Sequence, residues 1–184
     1  MRKMIFVLFA MLSLSMAAQE KAIQCDSVIQ AEGLDSKAIY QRVKGWVTES
    51  YNKASEVIQL DDAEQGVMVC KGNFEYRAPG GWSYRYIDGY IRYTLKVQVR
   101  DGRFKVSMGD FDHESKDIQY RKIWSFGLLT DREKYKMKGV QDKRWTTCWP
   151  DMKKKSLEYF EHICSALNGA MSGQSSLDDG NDDW

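Results

Sequence analysis

The sequence has little of what most catalytic and metal sites need. It contains only two histidines and four cysteines in 184 residues, and no two cysteines are spaced as Cys-x-x-Cys. A zinc ribbon and a thioredoxin-like motif are therefore excluded. A Gly-x-Ser-x-Gly segment, a phosphate loop and a dinucleotide fingerprint are also missing, so the common hydrolase and nucleotide-binding classes have no signature here.

Long hydrophobic runs are missing too, with one short exception at the beginning of the chain. Arg2 and Lys3 precede a stretch at 4–16 that is almost wholly apolar, and two alanines follow it. This stretch is too short to span a bilayer, and no later one is longer, so we expect no transmembrane segment. A positive start, a short apolar run and small residues are typical of a secretory signal. We expect residues 1–18 to be a cleaved signal peptide, with a buried first helix as the alternative, and the protein to be secreted or periplasmic.

Charge of one sign is not in excess. The 27 Lys and Arg residues against 26 Asp and Glu give a formal charge of +1, which becomes −1 if Arg2 and Lys3 leave with the leader. This balance and export both argue against a nucleic-acid partner. The charges are unevenly distributed, because residues 116–155 hold twelve basic and five acidic residues. Residues 172–184 are rich in Gly, Ser and Asp, and we expect a disordered acidic tail there.

The four cysteines leave the question of disulfides open. An exported protein can keep disulfides, and three ways of pairing Cys25, Cys70, Cys148 and Cys164 are possible. The alternative is that some are small buried apolar residues, which fits the core-facing positions of Cys70 and Cys164.

The hydrophobic pattern predicts one α+β domain over residues 19–171. Apolar residues at helical spacing predict a helix at about 35–52, in which Gly45 suggests a close contact, and a second helix opened by Trp149-Pro150-Asp151. Alternating residues predict four or five antiparallel strands between the two helices. Asp101-Gly102 favours a type I′ hairpin turn, and the register then sets Val97 opposite Val106. We expect both helices to pack on one apolar face of the sheet.

Several of these stretches resemble a family of exported Bacteroidetes proteins known as a domain of unknown function with a TATA-binding-protein-like (TBP-like) fold. The matching stretches are 33–35 leading into the helix with Trp46, then 57–62, 66–72 and 91–111. The resemblance covers residues 22–111 and, more loosely, the last helix. It implies a β-α-β(4)-α layout, and it implies no activity, because function resides in sites and not in folds.

Two groups of residues are candidates for binding a ligand. Trp82, Tyr84 and Tyr86 alternate and would share one face of a strand, where aromatic rings can stack on sugars or on a partner's side chains. A bulge at Gly89, or cover by the segment 114–149, would bury these rings instead.

A basic loop is the second candidate. It contains Arg132, Lys134 and Lys136, and it leads through Lys143 and Arg144 into Trp145. A glycan, an anionic envelope lipid or another protein is the expected partner of such a loop outside the cytoplasm. The alternative is a loop that is merely solvated.

An enzyme has only one starting point in this sequence. His113 lies beside Asp110, Asp112 and Glu114, where acid–base or metal chemistry is conceivable, although alternating acids at a strand end are an ordinary solvated edge. We expect no cofactor and no metal. We favour a non-catalytic binding or interaction module over an enzyme assembled around His113 or a structural envelope component.

Overall fold

The computed structural model describes residues 20–51, 53–119, 121–135 and 143–173. The predicted signal peptide at 1–18 and the predicted tail beyond residue 173 lie outside these residues, so both stay predictions. Within the described ranges, no helix is both long enough and apolar enough to cross a membrane.

The described chain forms an antiparallel sheet covered by helices. The strands are β1 (Cys25–Gln30), β2 (Ile58–Asp62), β3 (Val67–Tyr76), β4 (Gly89–Arg100), β5 (Arg103–Ser115) and β6 (Gly127–Leu128). The helices are α1 (Ser36–Ser50), α2 (Ala54–Val57), α3 (Arg121–Trp124) and α4 (Lys143–Met171), with a 3-10 helix at Gly81–Ile87. The order across the sheet is β1-β5-β4-β3-β2, and β6 pairs with β5. The predicted β-α-β(4)-α layout is confirmed, and β6 is an addition to it.

The hairpin of β4 and β5 has the predicted register. Val97 pairs with Val106, and the two arginines that flank the turn, Arg100 and Arg103, pair with each other. Gly102 has a φ of +72°, but Asp101 has no positive φ, so the two-residue turn is not the predicted type I′ turn, which requires a positive φ at both central residues. Val97 and Val106 are both buried, so the apolar alternation and the turn select the same side of the sheet.

The long helices α1 and α4 supply the other half of the core. Asp35 caps α1 by accepting a hydrogen bond from the amide of Ala38 at 2.7 Å. The carboxylate of Asp101 accepts a second bond from the amide of Ser36 at 2.8 Å, which ties the helix to the hairpin turn. Both helices pack on one face of the sheet, as expected, and they leave the other face open.

Helix α4 begins at Lys143 and not at Trp149, so Pro150 lies inside the helix. Proline in a helix interior costs about 3 kcal/mol because it removes one hydrogen bond and clashes with the preceding turn. Trp145 and Trp149 are 4% and 2% exposed in that first part of the helix. Burying a large aromatic side chain stabilises the protein by about as much as the proline destabilises the helix. The helix therefore continues on the N-terminal side of Pro150.

Gly45 makes none of the close contacts that the sequence suggested. A methyl group built on it would meet nothing within 4 Å, and it lies inside α1 with ordinary helical backbone. We expect Gly45→Ala to raise the free energy of unfolding by about 0.5 to 1 kcal/mol, because alanine restricts the unfolded chain. Chemical denaturation measures the change. Gly33→Ala is the control: its φ of +81° disfavours alanine, so this variant should be destabilised although its site is equally open. A destabilised Gly45→Ala would contradict the prediction.

Candidate functional site

The three aromatic residues at 82–86 lie in the 3-10 helix and not on a strand, so the predicted strand is wrong. The 3-10 helix lies in a loop whose conformation is fixed by two features. Gly81 has a φ of +68°, and the carboxylate of Asp88 accepts a hydrogen bond from the amide of Ala78 at 2.9 Å. The alternation in the sequence therefore does not place these rings on one face.

The three rings have different environments. Trp82 is 78% exposed and Tyr86 is 44% exposed. Tyr84 packs against the core and lies so close to Gly80 that a methyl group there would overlap its ring. Only Trp82 and Tyr86 are thus presented to a ligand, and Tyr84 holds the loop in place.

Trp124 of α3 connects the aromatic group to the basic group. The ring of Tyr86 stacks on Trp124 with a centroid distance of 6.0 Å. The guanidinium of Arg144 lies 4.8 Å from the same indole and donates to the carbonyl of Ser83 at 3.5 Å. The structure therefore brings Arg144, at the end of the predicted basic stretch, next to the aromatic group.

Most of the exposed hydrophobic side chains lie at this end of the sheet. Of the nine large hydrophobic side chains that are exposed in the described ranges, six belong to the 3-10 helix, the start of β4 and the segment after β5. We call this surface the aromatic end; these six are Trp82, Tyr86, Tyr90, Ile118, Ile123 and Leu128.

Cations accompany the exposed rings. Arg85 lies over the ring of Trp82 at 4.0 Å, and the ammonium of Lys116 lies 4.8 Å from the ring of Tyr90. Lys122 is exposed beside Ile123 in α3. Three of the six exposed apolar side chains, Trp82, Tyr90 and Ile123, therefore have a positively charged residue beside them.

A buried aromatic cluster supports the aromatic end from below. Phe126 is its centre, with ring centroids 4.4 Å from Trp145, 4.8 Å from Tyr135 and 6.3 Å from Trp149. Trp145 is only 4% exposed and also stacks on Trp124 at 5.9 Å. Trp145, predicted as a ligand-binding residue, thus lies beneath the aromatic end and not on its surface.

Two of the other basic residues singled out in the sequence, Arg132 and Lys134, lie within the described part of the chain. Arg132 forms an ion pair with Glu20, and its carbonyl accepts hydrogen bonds from the indole of Trp149 at 2.9 Å and from Lys153 at 2.8 Å. Lys134 is exposed. Lys136 lies outside the described residues, so its predicted role stays a prediction, as do the ligand roles of the other six residues.

His113 is a buried structural residue with both ring nitrogens occupied. The amide of Phe126 donates to Nδ1 at 3.2 Å, so Nε2 carries the proton and donates to the carbonyl of Ile87 at 2.9 Å. Burial is the main reason why the pKa of His113 is lowered to about 4. The neighbouring Asp112 and Glu114 pair with Arg92 instead, at 2.9 Å and 3.0 Å. Both ring nitrogens of His113 are thus engaged by backbone groups of the protein itself.

The cysteines are free thiols, and three of them are buried. Burial raises the pKa of Cys70 and of Cys148 to about 11, and it also raises the pKa values of Cys25 and Cys164. Thiols with raised pKa values are protonated at neutral pH and are poor nucleophiles. Among the described residues, no group of three or more His, Cys, Asp or Glu side chains is placed to hold a metal ion.

Residues 26–114 match the family model described as a domain of unknown function (DUF4468) with TBP-like fold. These residues form a DUF4468 domain. The aromatic end contains residues from inside and outside the matched range, because Trp82, Tyr86 and Tyr90 lie within it and Ile118, Ile123 and Leu128 follow it. No curated protein sequence matches the chain.

Solved structures confirm the fold of the DUF4468 domain and of the helix that follows it. A TBP-like protein from Parabacteroides distasonis superposes with a TM-score of 0.58 at 11% identity, covering 79% of this chain and 92% of that one. A DUF4468 family protein from Bacteroides ovatus has a TM-score of 0.56 at 14% identity, covering 82% of this chain and 86% of that one. At these identities the likeness shows the TBP-like fold alone.

Proposed function

We propose that this protein is an exported, non-catalytic binding module that docks on an anionic lipid surface of the cell envelope through its aromatic end. The observation that carries the proposal is the concentration of exposed apolar side chains at one end of the sheet, with cations beside them. After export, the anionic headgroups of the envelope are the surface that such an end would meet.

The two most exposed side chains of the aromatic end act as the anchors. Ile118 is 86% exposed and Trp82 is 78% exposed, so both project from the surface. Fully burying a side chain of this kind gains about 1.5 to 3 kcal/mol, and shallow insertion into the acyl boundary recovers part of that. Tyr86 and Tyr90 lie further back and are suited to the headgroup layer, where aromatic rings with a polar group are enriched.

The cations of the aromatic end supply the electrostatic part of the binding. Arg85 and Lys122 lie beside exposed apolar groups, and Arg144 lies over the partly buried Trp124, at positions where an inserted anchor would bring them to the headgroups. Each Lys or Arg near an anionic leaflet contributes about 1 kcal/mol. Apolar insertion and charge together make the binding depend on both the anionic lipid and the salt concentration.

A lipid surface explains the composition of the aromatic end better than a glycan or a protein does. Exposed aliphatic side chains such as Ile118 and Ile123 offer a sugar ring no stacking plane. The anchors also project separately from the 3-10 helix and from the segment after β5, whereas a protein partner favours a continuous apolar core within a polar rim. The occupied nitrogens of His113 give an enzyme centred there no support.

Vesicle sedimentation tests the proposal. We expect the purified protein to bind vesicles of equal parts phosphatidylglycerol and phosphatidylcholine, and to bind pure phosphatidylcholine much more weakly. Trp82→Ala and Ile118→Ser should each weaken binding by about tenfold, because each removes one anchor. Leu157→Ser is the matched control: Leu157 is 49% exposed on α4, away from the aromatic end, and should bind like the wild type.

Three results would overturn this function. The wild type could bind neither kind of vesicle, or the two anchor variants could bind as well as Leu157→Ser does. In the third, the wild type binds a glycan but no vesicles, and Trp82→Ala abolishes the glycan binding. The aromatic end would then be a sugar-binding site.

A further inference from the structure

A second charged surface lies on the open face of the sheet, at the end where the Asp101-Gly102 turn connects β4 and β5. Every second side chain of these strands points away from the helices. Near the turn, four of the outward side chains are exposed cations, and we call them the hairpin patch: Lys96, Arg100, Arg103 and Lys105.

Three of these four cations have no partner of opposite charge. Lys96, Arg100 and Arg103 form no ion pair or side-chain hydrogen bond within the described part of the chain. Lys105 pairs with Asp26 at 3.3 Å, where both side chains are nearly half exposed. Such an exposed pair contributes little, so Lys105 remains available to a ligand.

The register brings two of these charges directly together. Arg100 and Arg103 are opposite each other across the hairpin, and like charges in that position destabilise a strand pair. Nothing in the fold requires both residues to be arginine, because the apolar partners on the other face already fix the register. An anionic group bound between the two arginines would offset their mutual repulsion.

Two shallow grooves cross the hairpin patch and meet there. One is lined by Val28, Gln98, Arg100, Arg103 and Lys105, and the other includes Thr94, Lys96, Gln98, Lys105, Ser107 and the acidic Asp110. Gln98 and Lys105 belong to both grooves, so the floor is continuous. Neutral hydrogen-bonding groups therefore lie between the cations along an extended path.

We propose that the hairpin patch binds an acidic polysaccharide, a polymer whose sugar rings carry carboxylates. The cations match the carboxylates, and Thr94, Gln98 and Ser107 offer donors and acceptors to the hydroxyl groups between them. The shallow, open shape suits a chain that lies across the sheet better than a small ligand, which needs an enclosed pocket.

The same face lacks what single-stranded nucleic acid needs. Binding of single strands combines cations with aromatic rings on which the bases stack. Among the described side chains that line the two grooves, the only aromatic one is Phe104, and it is 1% exposed on the helix side of the sheet. Hydroxyl-rich sugars, which need hydrogen bonds more than stacking, are the better match.

Titration calorimetry with polygalacturonate tests the proposal, with its fully methyl-esterified form as the uncharged polymer control. We expect binding to polygalacturonate that weakens with salt, and none to the ester. Changing Lys96, Arg100 and Arg103 together to glutamine should weaken binding by about tenfold or more. The matched control changes three exposed cations elsewhere, Lys37, Lys53 and Lys154, to glutamine and should bind like the wild type.

Arg103→Glu separates binding from folding. It places a glutamate opposite Arg100, so the thermal midpoint should stay the same or rise, while polygalacturonate binding should fall. Trp82→Ala should leave polygalacturonate binding unchanged, which keeps this site distinct from the aromatic end.

Several outcomes would overturn the proposal. Equal binding of the ester and the acid would remove the role of charge, and tighter binding to a 20-base-pair DNA duplex that requires the same arginines would replace the polysaccharide with a nucleic acid. The absence of polygalacturonate binding, both in the full chain and after removal of residues 174–184, would leave the patch without its proposed ligand.

Discussion

Phe126→Ala is expected to lower the free energy of unfolding by about 3 to 5 kcal/mol, the range for deleting a large buried aromatic side chain. Phe126 is 4% exposed and contacts the rings of Tyr135, Trp145 and Trp149. Large rings surround the deleted side chain, and such rings repack poorly around a void. The cost should therefore lie in the upper part of the range. Urea denaturation followed by circular dichroism measures it.

Two further variants make this result specific. Phe126→Leu keeps most of the apolar volume and should lose much less stability than Phe126→Ala. Trp82→Ala deletes a larger ring at a site that is 78% exposed, and it should change the unfolding free energy by less than about 0.5 kcal/mol. A loss below about 1 kcal/mol for Phe126→Ala would mean that the cluster does not hold α4 to the sheet.

The hairpin shows what local sequence can determine. Its turn residues and its apolar alternation are independent signals, and both place Val97 opposite Val106, as the structure does. A slip by one residue would expose the whole apolar set, so no other register competes. The capped helix α1 is predictable for the same reason, since Asp35 and the apolar stripe agree on where it begins.

The segment after β5 shows where local sequence fails. Residues 121–129 are apolar enough for a further strand, but they contain the short helix α3 and the two-residue strand β6 instead. Their apolar side chains carry no clear period, because they face different neighbours: Trp124 meets Tyr86 and Trp145, while Phe126 meets the buried rings of α4. Only the tertiary structure decides between these partners.

The candidate site was half predictable. Trp82 and Tyr86 stand out in the sequence as closely spaced aromatic residues, and Arg144 as part of a basic stretch. Their meeting point, Trp124, has no local signal, because it depends on how the chain returns across the end of the sheet. The sequence does not indicate the burial of Trp145, because the predicted helix opens only at Trp149-Pro150-Asp151.

Acid is expected to destabilise the protein through His113. The imidazole is 1% exposed, and its neutral form makes both of its hydrogen bonds, so protonation would break the bond from Phe126 and bury a charge. Its pKa is about 4 in the folded protein, against 6.5 for the unfolded chain. The unfolded state therefore binds the proton first as the pH falls. Stability is complete above pH 6.5 and is lost between 6.5 and 4, by about 3 kcal/mol at pH 4.

His113→Gln isolates this contribution, because all other ionisable groups are present in the wild type and in the variant alike. We expect the variant to be less stable at pH 7, since it loses a packed ring. Between pH 7 and pH 4, however, the unfolding free energy of the wild type should fall by about 3 kcal/mol more than that of the variant. Parallel curves would mean that His113 reaches solvent and titrates normally in the folded protein, and would restore it as a candidate for proton transfer. Divergent curves would show that the neutral, buried imidazole stabilises the fold. Its hydrogen bond to Phe126 would then support the aromatic cluster beneath the aromatic end.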